Sequence, residues 1–154
     1  MNLKVIGLAL SLCFFAGAAC FGDDPNIGTW KLNEAKSRLT PKTGKLTTVV
    51  YEAAGDQVKV TIDGTDANGK ATHDEWTGKF DGKDYPVTGD PTSDMRSYKK
   101  IDSHTLAFTV KKGDKTIATG RIMVAADGKS RTVTAHGTDE HSKKFTTVSA
   151  YDKQ

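Results

Sequence analysis

The chain has 154 residues, a formal net charge of +3 and 27% charged residues, a length that suits one globular domain and not two. So mild a basic excess provides no electrostatic footprint for nucleic acid or an anionic membrane surface, and neither is expected as a partner. Both cysteines, Cys13 and Cys20, lie in the first twenty residues, so the body of the protein is expected to fold without disulfides.

The first twenty residues have the character of a secretory signal. Lys4 supplies a short positive region, Val5 to Ala16 form an apolar run, and small residues follow at 17–19, where a signal peptidase requires them. The apolar run is shorter than the roughly 20 residues of a membrane-spanning helix. We therefore expect export to the periplasm or out of the cell. The predicted divisions are a signal peptide at 1–19, a short linker at 20–26 and one domain at 27–154.

Cys20 lies at the predicted cleavage boundary. Gly17-Ala18-Ala19-Cys20 resembles a bacterial lipoprotein box, except that Gly17 stands where such boxes usually carry leucine. A lipid on Cys20 would make the protein a membrane-anchored lipoprotein, and that anchor would be its membrane contact. Plain cleavage near Cys20 would leave the protein secreted or periplasmic, and the sequence favours this second outcome.

From Ile27 onward, short segments of alternating apolar and polar residues are separated by turn residues. In His104 to Lys112, for example, Leu106, Phe108 and Val110 alternate with threonine and alanine. A period of two predicts β-strands, and β-branched valine and threonine suit their pleated surface. The predicted strands, in chain order, are 27–32, 45–53, 57–63, 70–80, 83–88, 94–101, 104–112, 115–124, 130–137 and 143–151.

Glycine-containing turns separate these strands. Asn68-Gly69, Asp81-Gly82 and Asp127-Gly128 predict two-residue hairpin turns, in which both residues take positive φ. Gly55-Asp56 and Gly113-Asp114 mark two further turns.

Two stretches depart from the strand pattern. Asn33 is a suitable N-cap for a short helix over Glu34–Arg38, which Pro41 would end. Pro86 to Asp94, with two prolines and a glycine, predicts a loop or a strongly bulged edge strand.

A weak internal echo joins two predicted hairpins. Gly64-Thr65-Asp66 with Lys70 recurs as Gly137-Thr138-Asp139 with Lys143 at the same spacing. A duplicated hairpin would produce the echo, and so would ordinary turn chemistry used twice.

Ten or so strands in one open sheet would expose long edges, so a sandwich or a barrel is expected. Short hairpin connections favour up-and-down order, and the chain lacks the paired cysteines and strand spacing of an immunoglobulin domain. The predicted fold is all-β, a single antiparallel up-and-down β-barrel of about eight to ten strands.

Asn26-Ile27-Gly28-Thr29-Trp30 resembles the G-x-W opening of lipocalin-type barrels. Gly28 to Asn33 with Lys36-Ser37, and Trp76 to Gly82 further on, resemble a lipocalin-like family of uncharacterised secreted bacterial proteins. The resemblance implies an antiparallel barrel that is closed near Trp30 at one end and open at the other, with any ligand inside.

The same resemblance implies an arginine packed across Trp30. Arg121 and Arg131 are both candidates, and the sequence leaves the choice open. The C-terminal helix of lipocalins has no counterpart here, because Phe145 to Tyr151 reads as a strand.

The sequence contains no recognisable catalytic or metal motif. G-x-S-x-G, the P-loop, G-x-G-x-x-G and H-E-x-x-H are all missing. His136 and His141 flank a predicted turn at a spacing that fits no zinc pattern, and His73-Asp74-Glu75 alternates between the two faces of a strand. A carboxylate pair assembled by the fold would be invisible in sequence. The expectation is a protein that is not an enzyme and needs no metal or cofactor.

Aromatic residues on most predicted strands suggest that the barrel interior binds a small, hydrophobic or amphipathic molecule. Arg96, beside a rim at Pro86 to Asp94, would select an anionic or carbonyl end group. The alternative is a structural or interaction module of the cell envelope with a filled core, tethered through Cys20 in one version. A monomer is expected in either case. The predicted ligand-binding residues are Trp30, Trp76, Arg96, Tyr98, Phe108, Arg121 and Tyr151.

Overall fold

A computed structural model describes residues 23–41, 43–139 and 141–154. The predicted signal peptide and Cys20 lie outside these residues. The strands are β1 (Gly28–Arg38), β2 (Lys45–Ala54), β3 (Gln57–Thr65), β4 (Ala71–Gly78), β5 (Tyr85–Thr88), β6 (Met95–Lys100), β7 (Thr105–Lys112), β8 (Lys115–Val124), β9 (Ser130–Thr138) and β10 (Lys144–Lys153).

The ten strands close into one antiparallel barrel. Each strand pairs with its neighbours in sequence, and β1 also pairs with β10 to close the ring. This arrangement confirms the predicted up-and-down barrel, and every strand from β2 onward begins and ends within two residues of its predicted bounds. The part of the chain that the structure describes contains no helix long and apolar enough to cross a membrane.

The helix predicted over Glu34–Arg38 is wrong, because β1 continues through this stretch. Asn33 does accept the hydrogen bond expected of a cap, from the N–H three residues on, at 3.2 Å. The pairing of β1 with β10 nevertheless resumes after a bulge between Asn33 and Arg38. Ser37 fastens this bulge, since its hydroxyl donates to the carbonyl of Asn33 at 2.7 Å and accepts the N–H of Ala150 at 2.9 Å. Pairing with a distant strand overrides the local helical signal.

The two-residue hairpins lie at Gly55-Asp56 and Gly113-Asp114, which connect β2 to β3 and β7 to β8. In each, the glycine has positive φ, 65° and 56° respectively. Glycine at the first central position is typical of a type II′ turn, whose twist matches the flanking strands.

The two-residue turns predicted at the other three glycines are wrong. At Asn68-Gly69 and Asp127-Gly128 only the glycine has positive φ, and the loops are longer than two residues. At Asp81-Gly82 the N–H of Gly82 donates to the carbonyl of Tyr98 at 2.8 Å, so this segment lies against β6. The carboxylates of Asp81 and Asp127 accept the backbone N–H groups of Lys83 and Lys129. This hydrogen bond is typical of an Asx-turn.

The echoed hairpins contain the same turn. The N–H of Asp66 donates to the carbonyl of Lys70 at 2.8 Å, and that of Asp139 donates to the carbonyl of Lys143 at 2.9 Å. Each aspartate carboxylate also accepts the N–H of its lysine, at 2.9 and 2.8 Å. Where the first turn has Gly69, the second has Ser142, whose φ is 62° and which is the one non-glycine with positive φ among the described residues.

We expect Ser142→Gly to stabilise the protein and Gly69→Ser, at the equivalent position of the other turn, to destabilise it. A left-handed conformation costs a residue with a Cβ roughly 1 kcal/mol relative to glycine. In urea unfolding, the midpoint should therefore rise for Ser142→Gly and fall for Gly69→Ser. Each shift should correspond to about 1 kcal/mol of unfolding free energy. Unchanged midpoints in both variants would show that the left-handed conformation costs a residue with a Cβ no measurable stability at either turn.

The barrel has two ends that differ in their connections. β1 begins and β10 ends at what we call the floor end. Because neighbouring strands are antiparallel, the connections after β1, β3, β5, β7 and β9 lie at the opposite end, the rim end. The predicted rim loop after β5 is therefore at the end away from Trp30, as expected.

The buried apolar core lies inside the barrel, and it is densest toward the floor end. Its members are Trp30, Val49, Tyr51, Val58, Val60, Ile62, Trp76, Val87, Tyr98, Leu106, Ile122, Val124 and Tyr151.

Candidate ligand-binding interior

Residues 23–27 close the floor end. Trp30 is 0% exposed, and its indole N–H donates to the carbonyl of buried Asn26 at 2.8 Å. The carboxylate of Asp24 accepts the backbone and side-chain N–H groups of Asn26, both at 2.9 Å, and pairs with Lys100 at 3.0 Å. Hydrogen bonds therefore hold the segment before β1 against the strand ends, and the barrel is closed at Trp30.

The arginine that packs on Trp30 is Arg131, on β9. Its Cζ lies 4.7 Å from the ring centroid of Trp30, 4.9 Å from that of Tyr51 and 5.0 Å from that of Tyr151. The residue is 3% exposed. We call this group of Trp30, Tyr51, Arg131 and Tyr151 the floor cage.

Arg121 is not an interior residue, and its predicted place in the binding site is corrected. It is exposed, whereas its neighbour Ile122 is buried. Successive residues of a strand point to opposite faces, so Arg121 lies on the outer face of β8. Sequence alternation contained this signal, because Arg121 is out of phase with Ile122 and Val124, while Arg131 is in phase with Val133.

Predicted residues from β4, β6 and β7 meet on one side of the interior. The rings of Trp76 and Tyr98 have centroids 4.8 Å apart at a near-perpendicular angle, and Phe108 lies 6.4 Å from Tyr98. The indole N–H of Trp76 donates to the carbonyl of Arg96 at 2.8 Å. This aromatic wall is anchored by packing and by a buried hydrogen bond. Its members are Tyr51, Trp76, Phe80, Tyr85, Tyr98 and Phe108.

Arg96 points inward, as predicted, but it is already paired. Its Nη1 lies 3.0 Å from the Oδ1 of Asp74, and the two side chains are only 8% and 12% exposed. Burial raises the pKa of the Asp74 carboxyl, and the charge of Arg96 offsets part of that rise. Asp74 was not predicted as a site residue, although its alternation with Trp76 on β4 places both on the inner face.

On the other side, the inner faces of β7 to β10 are lined by small residues toward the rim end. These positions are half-buried, whereas Ile62, Asp74 and Arg96, which face inward on β3, β4 and β6, are buried. These inward-facing residues therefore keep part of their surface exposed. We call it the small-residue wall; its members are Val110, Ala118, Gly120, Val133, Ala135, Gly137, Thr147 and Ser149.

Two aromatic rings lie on glycines of the small-residue wall. A Cβ added to Gly120 would lie 2.5 Å from the ring of Phe108, and one added to Gly137 would lie 2.7 Å from the ring of Phe145. Glycine at these positions leaves room for the rings to lie directly against the strands. Toward the rim end of β8, β9 and β10, a shallow groove of about 360 Å³ includes Gly137 and Phe145 in its lining.

The histidines contribute no metal site among the described residues, where no three histidine, cysteine or acidic side chains gather closely enough to hold an ion. His73 contacts Asp63 on the outer face at 2.7 Å, while Asp74 points inward, as the alternation predicted. His136 is exposed, and its Nδ1 lies 3.0 Å from the hydroxyl of Thr146.

Comparison with known proteins supports the fold. No protein-family model matches the chain, and no curated protein matches it in sequence. The structure of EF1p2_mFAP2b bound to DFHBI is similar, with a TM-score of 0.51, 10% identity, and coverage of 84% of this chain and 94% of that one. A redesigned beta barrel, mFAP1, bound to DFHBI, aligns at a TM-score of 0.43 and 13% identity over 86% and 97% of the two chains. At 10% identity, the likeness to EF1p2_mFAP2b concerns the fold alone.

We expect the buried tyrosines to make the protein sensitive to alkali. Burial raises the pKa of Tyr98 well above its ordinary value, and raises that of Tyr151 to about 12. Above pH 10 the unfolded chain loses phenolic protons that the folded protein retains, so stability should fall as pH rises. The expected slope is about 1.4 kcal/mol per pH unit for each such proton.

Tyr98→Phe should therefore reduce the slope of unfolding free energy against pH between pH 10 and 12. The expected reduction is the contribution of one proton, about 1.4 kcal/mol per pH unit. Denaturant unfolding at a series of pH values measures this slope, and the variant and wild type should run parallel below pH 9. Parallel curves above pH 10 as well would mean that Tyr98 titrates normally in the folded protein.

Proposed function

We propose that the protein binds a small, partly apolar molecule inside the barrel, in the half that opens toward the rim end. The observation that carries this proposal is the difference between the two sides of the interior. One side is a packed aromatic wall, and the other is a wall of small, half-buried residues that solvent reaches. A concave apolar surface with a few polar groups is the usual form of a small-molecule site.

The lining suits a ligand with an apolar body. Phe108, Val110 and Ala135 offer apolar contacts, while the hydroxyls of Thr147 and Ser149 offer hydrogen bonds from β10. These five residues are all half-buried on inward-facing positions, so a bound molecule would remove their remaining apolar surface from water.

The structural neighbour is compatible with this proposal. EF1p2_mFAP2b, which is similar in fold, has been solved bound to DFHBI, a small ligand. This likeness in fold supports the idea that such a barrel can hold a small molecule. The identity of the ligand of this chain would depend on the chain's own lining residues.

We expect Ala135→Leu to weaken ligand binding by about tenfold or more, because the added side-chain volume enters the proposed site. Fluorescence of Trp30 and Trp76 reports binding during titration with a panel of fatty acids, haem-like and aromatic probes. Ala107→Leu is the matched control, since it makes the same substitution on the outer face of β7 and should leave affinity unchanged.

Equal affinities in the two variants would place the ligand elsewhere. No response of either tryptophan across the panel, with a wild-type interior too small for a few waters, would favour the alternative of a structural module with a filled core.

We also propose that the protein is exported and processed near Cys20, on the residue pattern of the first twenty positions alone. Mass spectrometry after expression in a bacterium should show a mature chain that begins between Ala19 and Gly22. A lipid on Cys20 would raise the mass above that of the bare chain and make the protein partition into detergent. An exported chain that still begins at Met1 would contradict the proposal.

A further inference from the structure

The fold separates charge between the two ends of the barrel. The net charge of +3 is mild, and by itself it indicates no anionic partner. In the rim connections and the strand residue on each side of them, however, the described basic residues outnumber the acids. These basic residues are Arg38, Lys45, Lys70, Lys112, Lys115, Lys143 and Lys144, and the acids are Asp66, Asp90, Asp94, Asp114 and Asp139.

The floor end has the reverse balance. In its connections, its terminal segments and the adjoining strand residues, the described acids outnumber the basic residues. The acids are Asp23, Asp24, Asp56, Asp81, Asp84, Asp102 and Asp127, and the basic residues are Lys79, Lys83, Lys100, Lys129 and Lys153. The barrel therefore has a positive rim end and a negative floor end.

Four lysines of the rim end form one cationic corner, and we call them the rim lysines. Lys112 and Lys115 pair across the hairpin between β7 and β8, and Lys143 and Lys144 lie on the neighbouring hairpin between β9 and β10. All four are exposed. None forms an ion pair with a carboxylate of the described residues. Like charges that face each other across a ladder are unfavourable, so the corner has charge that this part of the chain does not compensate.

Most acids of the rim end are held by their own connections. The carboxylates of Asp66 and Asp139 accept backbone N–H groups within their hairpins, at 2.9 and 2.8 Å. Those of Asp90 and Asp94 accept backbone N–H groups of the rim connections at 2.7 and 3.0 Å. These hydrogen bonds hold the short acidic side chains against the backbone, whereas a lysine ammonium lies at the end of a flexible four-carbon stem. The rim end therefore presents ammonium groups to its surroundings.

Apolar side chains lie at the same end. Leu46, near the rim end of β2, is 44% exposed, and Phe145 is half-buried next to Lys144. The shallow groove of about 360 Å³ has Ile117 and Phe145 in its lining together with Lys144. Nucleic acid attracts cations through its phosphates, but a lipid surface attracts cations and also takes up apolar side chains. The combination favours a lipid surface.

We propose that the rim end docks on an anionic lipid membrane. The rim lysines lie among the head groups, and Leu46 and Phe145 lie at the boundary of the acyl region. Each lysine near an anionic surface contributes about fivefold to membrane affinity, so the four together contribute on the order of a hundredfold. The docking is independent of any ligand inside the barrel, because it depends on side chains at the rim end.

The test measures binding of the exported chain to lipid vesicles by co-sedimentation. The chain carries Cys20→Ser, so that no lipid anchor contributes. The vesicles are phosphatidylcholine alone, or phosphatidylcholine with about one-third phosphatidylglycerol, an anionic lipid. We expect binding to the mixed vesicles and its loss in about 0.5 M salt, which screens attraction between charges.

Replacing the four rim lysines with glutamine should weaken binding to the mixed vesicles on the order of a hundredfold. The matched control replaces four other lysines with glutamine. They are exposed, lie in the half of the barrel nearer the floor end, and form no ion pair with a described carboxylate. The control variant therefore loses the same charge and should bind as wild type does. Its substitutions are Lys31→Gln, Lys83→Gln, Lys99→Gln and Lys129→Gln.

Several outcomes would overturn the proposal. Equal weakening in the two variants would mean that binding follows net charge and not the rim end. Absence of binding to the mixed vesicles, or equal binding to both kinds of vesicle, would exclude docking on anionic lipid. Binding of heparin or duplex DNA in place of vesicles, with loss in the rim variant, would assign the rim lysines to another polyanion.

A second measurement reports the orientation and leaves every lysine in place. With Cys20 replaced and the predicted signal removed, the chain has no cysteine. An environment-sensitive fluorophore can therefore be attached through Ser142→Cys at the rim end or through Ser103→Cys at the floor end, both exposed positions. The mixed vesicles should shift the emission of the rim label and leave that of the floor label unchanged. A shift of the floor label alone would overturn the proposed orientation.

Discussion

Strand β1 is hydrogen-bonded on both sides, to β2 and to β10, and the rest of the structure depends on this closure. Trp30 faces Val49 on one side and Lys153 on the other. A closed barrel leaves no strand edge for another chain to pair with. Closure also sets which side chains face inward, because a slip of one residue would turn every side chain of a strand to the other face. The hydrogen bond from Trp30 to Asn26 then holds the preceding segment over the floor.

The two ends of the closed barrel are packed unequally. At the floor end, Trp30 and Arg131 bring strands from opposite parts of the chain into contact, and large rings fill the space between them. Toward the rim end, β8 and β9 present glycine and alanine on their inner faces, and Phe108 and Phe145 lie against glycines. The half-buried inner positions of β7 to β10 follow from this choice of residues.

The strands were predictable from sequence because each carries its own signal, and the exceptions show what that signal omits. Alternation and turn glycines locate β2 to β10 within two residues. At Asn33 the local hydrogen bond is the one that a helix cap would make, and only pairing with β10 distinguishes the bulge from a helix. Likewise, the phase of alternation separates Arg121 from Arg131, but the partner of Arg96 depends on the arrangement of β4 beside β6 across a short β5.

The floor cage concentrates one cost of folding on a single side chain. Folding buries the Arg131 guanidinium among rings that attract its charge but do not accept all of its hydrogen bonds, so part of its lost hydration is not replaced. Arg131 therefore remains an unpaired cation inside the barrel at a cost in stability, whereas the carboxylate of Asp74 offsets that cost for Arg96.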